Sequence, residues 1–261
     1  MNAIAVRSRH HHAMFIASKE DVMGVGYRAG GRGEGDAKHK LLKRPADCRD
    51  YADYRTGKFF RLLLTKEGKL FFSGQNKKGS AGNTIQLNDC IEEFKDVTSV
   101  YPLAANDKII SCDGGKHFSV ICTKEGKVYA SGNVFYRSVD DDIKYNAEES
   151  AEYAYELKMV NHAEGYKAEK VWACDLYDNI WVLGSKKNDD GTIVKKTFCL
   201  GSDYDMVGGG DSNGAKNWRS PKLPENIWME EIQSSGMYAL GIDNNGDLWE
   251  WGGHRQSNEG E

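Results

Sequence analysis

An all-β fold, a β-propeller or partial propeller of about five blades of short antiparallel strands, is what this 261-residue sequence predicts. Three observations carry the prediction. A hairpin-like unit recurs along the whole chain, the signature of a repeat architecture. Glycine is abundant and proline scarce, 29 residues against 4, with 11% aromatics, which suits many short strands joined by tight turns. No run approaches the eighteen or so apolar residues of a membrane-spanning helix.

The repeat is clearest where the stretch from Phe60 to Gly74 matches that from Phe118 to Gly132, both with Thr-Lys-Glu-Gly-Lys at the turn. A third copy runs from Tyr238 to Gly252. The turn glycines Gly68, Gly126 and Gly246 each precede the closing glycine, Gly74, Gly132 or Gly252, by six residues. Two weaker copies complete the set: residues 14–26 carry Glu20 at the turn and close on Gly26, and residues 180–201 close on Gly201 after a longer turn around Gly191. Upstream, Ser111-Cys112-Asp113 and Ala173-Cys174-Asp175 read as equivalent strands. The closing glycines lie 48, 58, 69 and 51 residues apart. One repeat domain over 1–261 follows, with units near 1–45, 46–100, 101–165, 166–220 and 221–261, and an insertion near 138–165.

Each unit reads as a hairpin. Aromatic and β-branched residues flank the turn as half-buried strands require. The turn glycine meets a need for positive φ, and the closing glycine lets the strand leave the sheet or pack closely. A lone hairpin cannot bury its apolar face, so neighbouring repeats must cover one another. The insertion differs: residues 147–159 are rich in helix formers and read as a short exposed acidic helix.

The unit resembles the repeat of the regulator of chromosome condensation family. The residues that carry the resemblance are Gly114-Gly115-Lys116-His117, Thr123-Lys124-Glu125-Gly126, the run from Gly74 to Gly82, Trp251-Gly252, and the glycine-rich stretches Gly31 to Asp36 and Gly208 to Asp211. It covers nearly the whole chain in degenerate copies. The resemblance implies a propeller, usually of seven blades, that binds proteins. It also implies an alternative activity, guanine-nucleotide exchange on a Ran-like small GTPase, or a place as the substrate-recognition region of a larger HECT-type ubiquitin ligase.

Charge is unevenly spread. Residues 1–69 hold 15 Lys/Arg against 8 Asp/Glu, whereas the whole chain is net −4. Bulk charge does not point to nucleic acid, but ends of opposite sign can steer a protein partner. Two charged segments interrupt the scaffold and are the candidate partner-binding residues. One is the basic link Lys38, Lys40, Lys43 and Arg44; the other is the acidic insertion Asp140, Asp141, Asp142, Glu148, Glu149 and Glu152. The six cysteines form no Cys-x-x-Cys pair, so an intracellular, cytoplasmic or cytoskeletal setting is expected, with the nucleus as a further option. No ordered catalytic set or metal-ligand spacing occurs. The expectation is therefore a non-catalytic scaffold subunit of a larger assembly, with no cofactor, metal or membrane span.

Overall fold

The computed structural model describes the backbone of four strands between residues 5 and 43. Beyond them it describes residues 51–76, 78–82, 90–132, 154–159, 163–174, 179–201, 218–235 and 238–252. Among these residues the chain forms five small antiparallel sheets, each following chain order. Blade 1 is β1 (Ala5–Arg9), β2 (His12–Ile16), β3 (Asp21–Gly26) and β4 (Lys40–Lys43). Blade 2 is β5 (Tyr51–Thr56), β6 (Phe60–Thr65), β7 (Leu70–Gln75) and β8 (Cys90–Asp96). Blade 3 is β9 (Ile109–Gly114), β10 (Phe118–Thr123), β11 (Val128–Gly132) and the two-residue β12 (Tyr155–Glu156). Blade 4 is β13 (Lys167–Ala173), β14 (Ile180–Lys187) and β15 (Ile193–Leu200), with Arg219 bridging Cys199 at its outer edge. Blade 5 is β16 (Met229–Ser235), β17 (Tyr238–Asp243) and β18 (Leu248–Gly252). The all-β propeller class expected from the repeat is what the chain adopts.

One tight turn builds the central hairpin of blades 2 to 5. In blade 2 the Thr65 amide donates to Lys69 O at 2.9 Å and the Gly68 amide to Thr65 O at 3.0 Å. Thr123 and Gly126, Asn188 and Gly191, and Asp243 and Gly246 repeat both bonds. The glycine sits at φ +91°, +87°, +87° and +90° in the four copies, the left-handed residue that lets such a turn match the strand twist. The side chain at the turn's first position locks it: Thr65 Oγ1 accepts from the Lys69 amide, and Asp243 Oδ1 accepts from the Asn245 and Asp247 amides.

Two expectations are corrected. The acidic helix read over 147–159 is not what its last six residues form. Tyr155–Glu156 pairs with Ala130 and Tyr129 as β12, and Ala154 and Leu157 are buried. The open edge of β11 offers backbone partners that an exposed helix would leave unused; the remainder of that segment lies outside the described residues. The equivalence of Ser111-Cys112-Asp113 with Ala173-Cys174-Asp175 also fails. The hairpin entry is closed by Gly57 N to Phe60 O, Gly115 N to Phe118 O and Cys174 N to Asn179 O. Blade 4 thus holds two more residues there, Asn179 takes the place of Phe118, and Lys170 takes that of Ser111.

The core lies between blades. Phe60, Leu62, Leu64, Leu70 and Phe72 of blade 2 pack on Ile109, Cys112, Ile121 and Tyr129 of blade 3. Phe118, Val120, Cys122, Val128 and Ala130 of blade 3 pack on Val171, Ala173, Ile180, Val182 and Phe198 of blade 4. Trp172, Trp181, Leu183 and Cys199 of blade 4 pack on Met229, Ile232, Ala239 and Trp251 of blade 5. The central strands of blades 3 and 4 therefore have one face toward the preceding blade and one toward the following blade. That is why β10 is buried at all six positions rather than at alternate ones.

Candidate interaction surface on the fifth blade

The first strands of blades 2 to 5 neighbour one another in turn, and their charged side chains meet. Arg55 on β5, 4% exposed, donates Nε to Asp53 Oδ2 at 2.8 Å and Nη1 to Glu231 Oε1 at 3.0 Å. Glu231 lies on β16, so this pair ties blade 2 directly to blade 5. Lys170 on β13 donates to the other Glu231 oxygen at 2.8 Å and to Glu230 O at 2.7 Å, with its ammonium 5.2 Å from the Trp172 ring. Burial works to lower the Arg55 pKa, but the carboxylates of Asp113, Asp53 and Glu231 outweigh it and hold the guanidinium above its usual range. Burial likewise works to raise Glu231, and Arg55 and Lys170 hold its carboxyl below the usual value. Asp113 Oδ2 accepts from the Ala173 amide at 2.8 Å, stitching blade 3 to blade 4. Each charge in this cluster has a partner, so its chemistry is structural: it fixes the spacing of the blades around a common centre.

The face of blade 5 that points away from blade 4 is different. Strand β17 alternates between exposed and buried residues. Its inward residues Ala239 and Asp243 are buried, and Trp249 Nε1 donates to Asp243 Oδ2 at 2.8 Å. On the outward face Tyr238, Leu240, Ile242 and Leu248 are 39%, 45%, 46% and 71% exposed. Register identifies these positions. Tyr238 pairs with Gly252 as Phe118 pairs with Gly132, so Leu240, Ile242 and Leu248 stand where blade 3 has Val120, Cys122 and Val128, all fully buried. An apolar strip built for a blade-to-blade joint is thus left in water. The blade around it exposes Glu225, Glu230, Asp247 and Glu250, and residues 223–252 contain no lysine or arginine.

Of the residues singled out from sequence, Lys40 and Lys43 fall on β4, the fourth strand of blade 1. Lys38, Arg44, Asp140, Asp141, Asp142, Glu148, Glu149 and Glu152 lie outside the described residues. Sequence reading missed the open face of blade 5, because Leu240, Ile242 and Leu248 have the same character as their buried counterparts. The available signal was the loss of lysine across 223–252. The tryptophans also cluster: Trp172, Trp181 and Trp251 are buried at the joint of blades 4 and 5, with Trp228 and Trp249 against them. Cys112 and Cys122 do not face each other; Cys112 pairs with Ile121 and Cys122 with Ser111, and each thiol is buried in a different joint. Burial pushes both thiols well above the ordinary range. No group of three or more histidine, cysteine or acidic side chains that could hold a metal occurs among the described residues, and no helix there is long and apolar enough to cross a membrane.

No family model matches the chain and no curated protein matches it. Solved structures do. Human WBSCR16 is 14% identical over 96% of this chain and 61% of its own, with a TM-score of 0.68. Yeast RCC1 (Prp20), solved bound to Kap60, is 14% identical over 96% of this chain and 56% of its own, with a TM-score of 0.69. Prp20p of Saccharomyces cerevisiae, described with its binding properties to Gsp1p and histones, is 16% identical over 99% of this chain, with a TM-score of 0.62. The fold is an RCC1-like β-propeller, and the chain spans 56–61% of the length of these structures.

Proposed function

We propose that this RCC1-like propeller is a non-catalytic interaction module, a subunit of a larger assembly that binds other proteins through the open face of blade 5. The observation that carries this reading is the exposure of Leu240, Ile242 and Leu248 at positions the inner blades bury completely. Apolar strips with polar surroundings mark interaction sites on soluble proteins. The anchors stand on a paired strand braced from behind by Trp249 and Trp251, so little ordering entropy opposes binding. The charge cluster around Arg55 supports a scaffold role, since its groups are spent on each other. Cys112 and Cys122 are buried free thiols, which supports an intracellular setting.

The test is recovery of the tagged chain from its native source beside a Leu240→Glu/Leu248→Glu variant. A stoichiometric partner retained by the wild type and lost by the variant is the expected result. Equal recovery of the same partners by both forms counts against the blade-5 surface. A second reading, nucleotide exchange on a Ran-like GTPase, draws support from the likeness to Prp20p, whose binding to Gsp1p is described. Accelerated release of labelled GDP from such a GTPase would support it, and an unchanged rate would remove it.

A further inference from the structure

We propose that the central hairpin of blade 4 is a docking arm that enters a cleft with acidic walls on a protein surface outside residues 1–261. This contact goes beyond the blade-5 surface and does not depend on it.

Hairpin length is the first observation. The turn begins five positions after the hairpin entry in blades 2, 3 and 5, as from Phe60 to Thr65, Phe118 to Thr123 and Tyr238 to Asp243. In blade 4 it begins nine positions after it, from Asn179 to Asn188, and the return arm from Thr192 to Gly201 is longer by the same four residues. The ladder stays in register down to Lys186 with Val194 and Lys187 with Ile193. At about 3.3 Å per residue this hairpin is about 13 Å longer than its counterparts. Both of its ends are stiff. At the base Lys195 pairs with Glu169 at 2.8 Å, and the Tyr166 ring meets Phe198 edge-on with centroids 4.9 Å apart. At the tip Asp190 Oδ1 accepts from the Thr192 amide at 2.9 Å, and Asn188 Nδ2 donates to Thr192 Oγ1 at 3.0 Å. An arm formed in advance loses little entropy on binding.

Alternation sorts the extra residues onto two faces. Ser185, Lys187, Ile193 and Lys195 continue the face of Trp181 and Leu183, which meets blade 5. Gly184, Lys186, Val194 and Lys196 continue that of Val182 and Phe198, which meets blade 3. Each face thus sets an aliphatic side chain across from an exposed lysine: Ile193, 67% exposed, opposite Lys187, and Val194, 38% exposed, opposite Lys186. Lysine alone on a projecting strand guards against edge-to-edge pairing. Lysine beside an exposed aliphatic on both faces fits a partner that touches both. No ion pair among the described residues involves Lys186, Lys187 or Lys196. Residues 184–196 hold four lysines against Asp189 and Asp190, and Asp190 is spent on Thr192. An acidic wall on each side satisfies both rows. The chain's own acidic insertion is rooted at the wrong end to supply those walls. It runs between Gly132 and Ala154, at the hairpin-entry end of blade 3, whereas the arm projects from the turn end.

The experiment places a photo-crosslinking phenylalanine analogue at Ile193, and separately at Val194, of the full chain in its native source and identifies the products by mass spectrometry. Both positions should reach the same protein, each through a peptide with aspartate or glutamate within a few residues of the crosslink. The yield should exceed by about tenfold that from the analogue at Glu67, exposed on the blade-2 turn, and fall by about tenfold in a Lys186→Glu/Lys187→Glu chain. Peptides from residues 1–261, peptides without acidic neighbours and crosslinks to nucleic acid each overturn the proposal. So does a product from one position alone, which describes a flat contact rather than a cleft, or no product above the Glu67 level. None of these results bears on the blade-5 surface, which the Leu240→Glu/Leu248→Glu variant tests separately.

Discussion

Blades 3 and 5 are built from the same hairpin, yet one is sealed and the other half open. Strand β10 is buried at every position and β17 at every second one. Their turns share a hydrogen-bond pattern and a glycine φ within 3°. Local sequence therefore sets the hairpin, and the presence of a following blade decides whether its outer face is core or surface. An apolar side chain at the same register position is core in one blade, as Val120, and exposed in the other, as Leu240.

Substitutions at matched positions sharpen that contrast. Leu62→Ala in blade 2 removes a fully buried side chain and should cost about 3 to 4 kcal/mol in chemical denaturation. Leu240→Ala at the equivalent site should change stability by no more than about 0.5 kcal/mol. Comparable losses at the two sites would break the comparison. Arg55→Ala tests the central cluster instead. It leaves the Asp53 and Glu231 carboxylates without their buried cation and should cost about 3 kcal/mol, loosening blade 5 from blade 2.

The fold was legible because a six-residue spacing between paired glycines survives where other repeat positions have drifted, as in Tyr238 to Gly252. The register of blade 4 was not legible. Its hairpin entry is two residues longer, so Asn179 aligns by eye with His117 while the backbone places it at Phe118. The pairing of Arg55 with Glu231 spans 176 positions and leaves no local trace. The extended end of the acidic insertion was missed because its composition favours a helix, and a free edge of β11 outweighs propensity. The open face could not be recognised from residue character, since leucine and isoleucine read as core wherever they fall in a strand.

Smaller effects probe the same contrast. Gly126→Ala must both hold a residue at positive φ and displace Lys167 of the next blade, so it should cost about 2 to 3 kcal/mol. Gly246→Ala meets open space and should cost only about 1 kcal/mol for the backbone conformation. Tyr101→Phe removes a hydroxyl bonded to Ser119 Oγ at 2.9 Å in the joint of blades 2 and 3 and should cost about 1 kcal/mol. The smallest effect is on pH dependence. Because the folded-state pKa of Glu231 is depressed, its contribution is complete above its unfolded value, near about 4.3, and is lost as pH falls through the folded value. Glu231→Gln should flatten that part of the acid unfolding curve.

Hydroxyl-radical footprinting of the purified chain and of the same chain isolated in its native assembly tests the central claim most directly. Leu240, Ile242 and Leu248 should be heavily modified in the purified chain and protected in the assembly, while Leu62 and Leu64 stay protected in both. Protection of the blade-5 residues in the purified chain would mean that the chain covers its own face, and modification in both samples would mean that no partner uses it; either result contradicts the account.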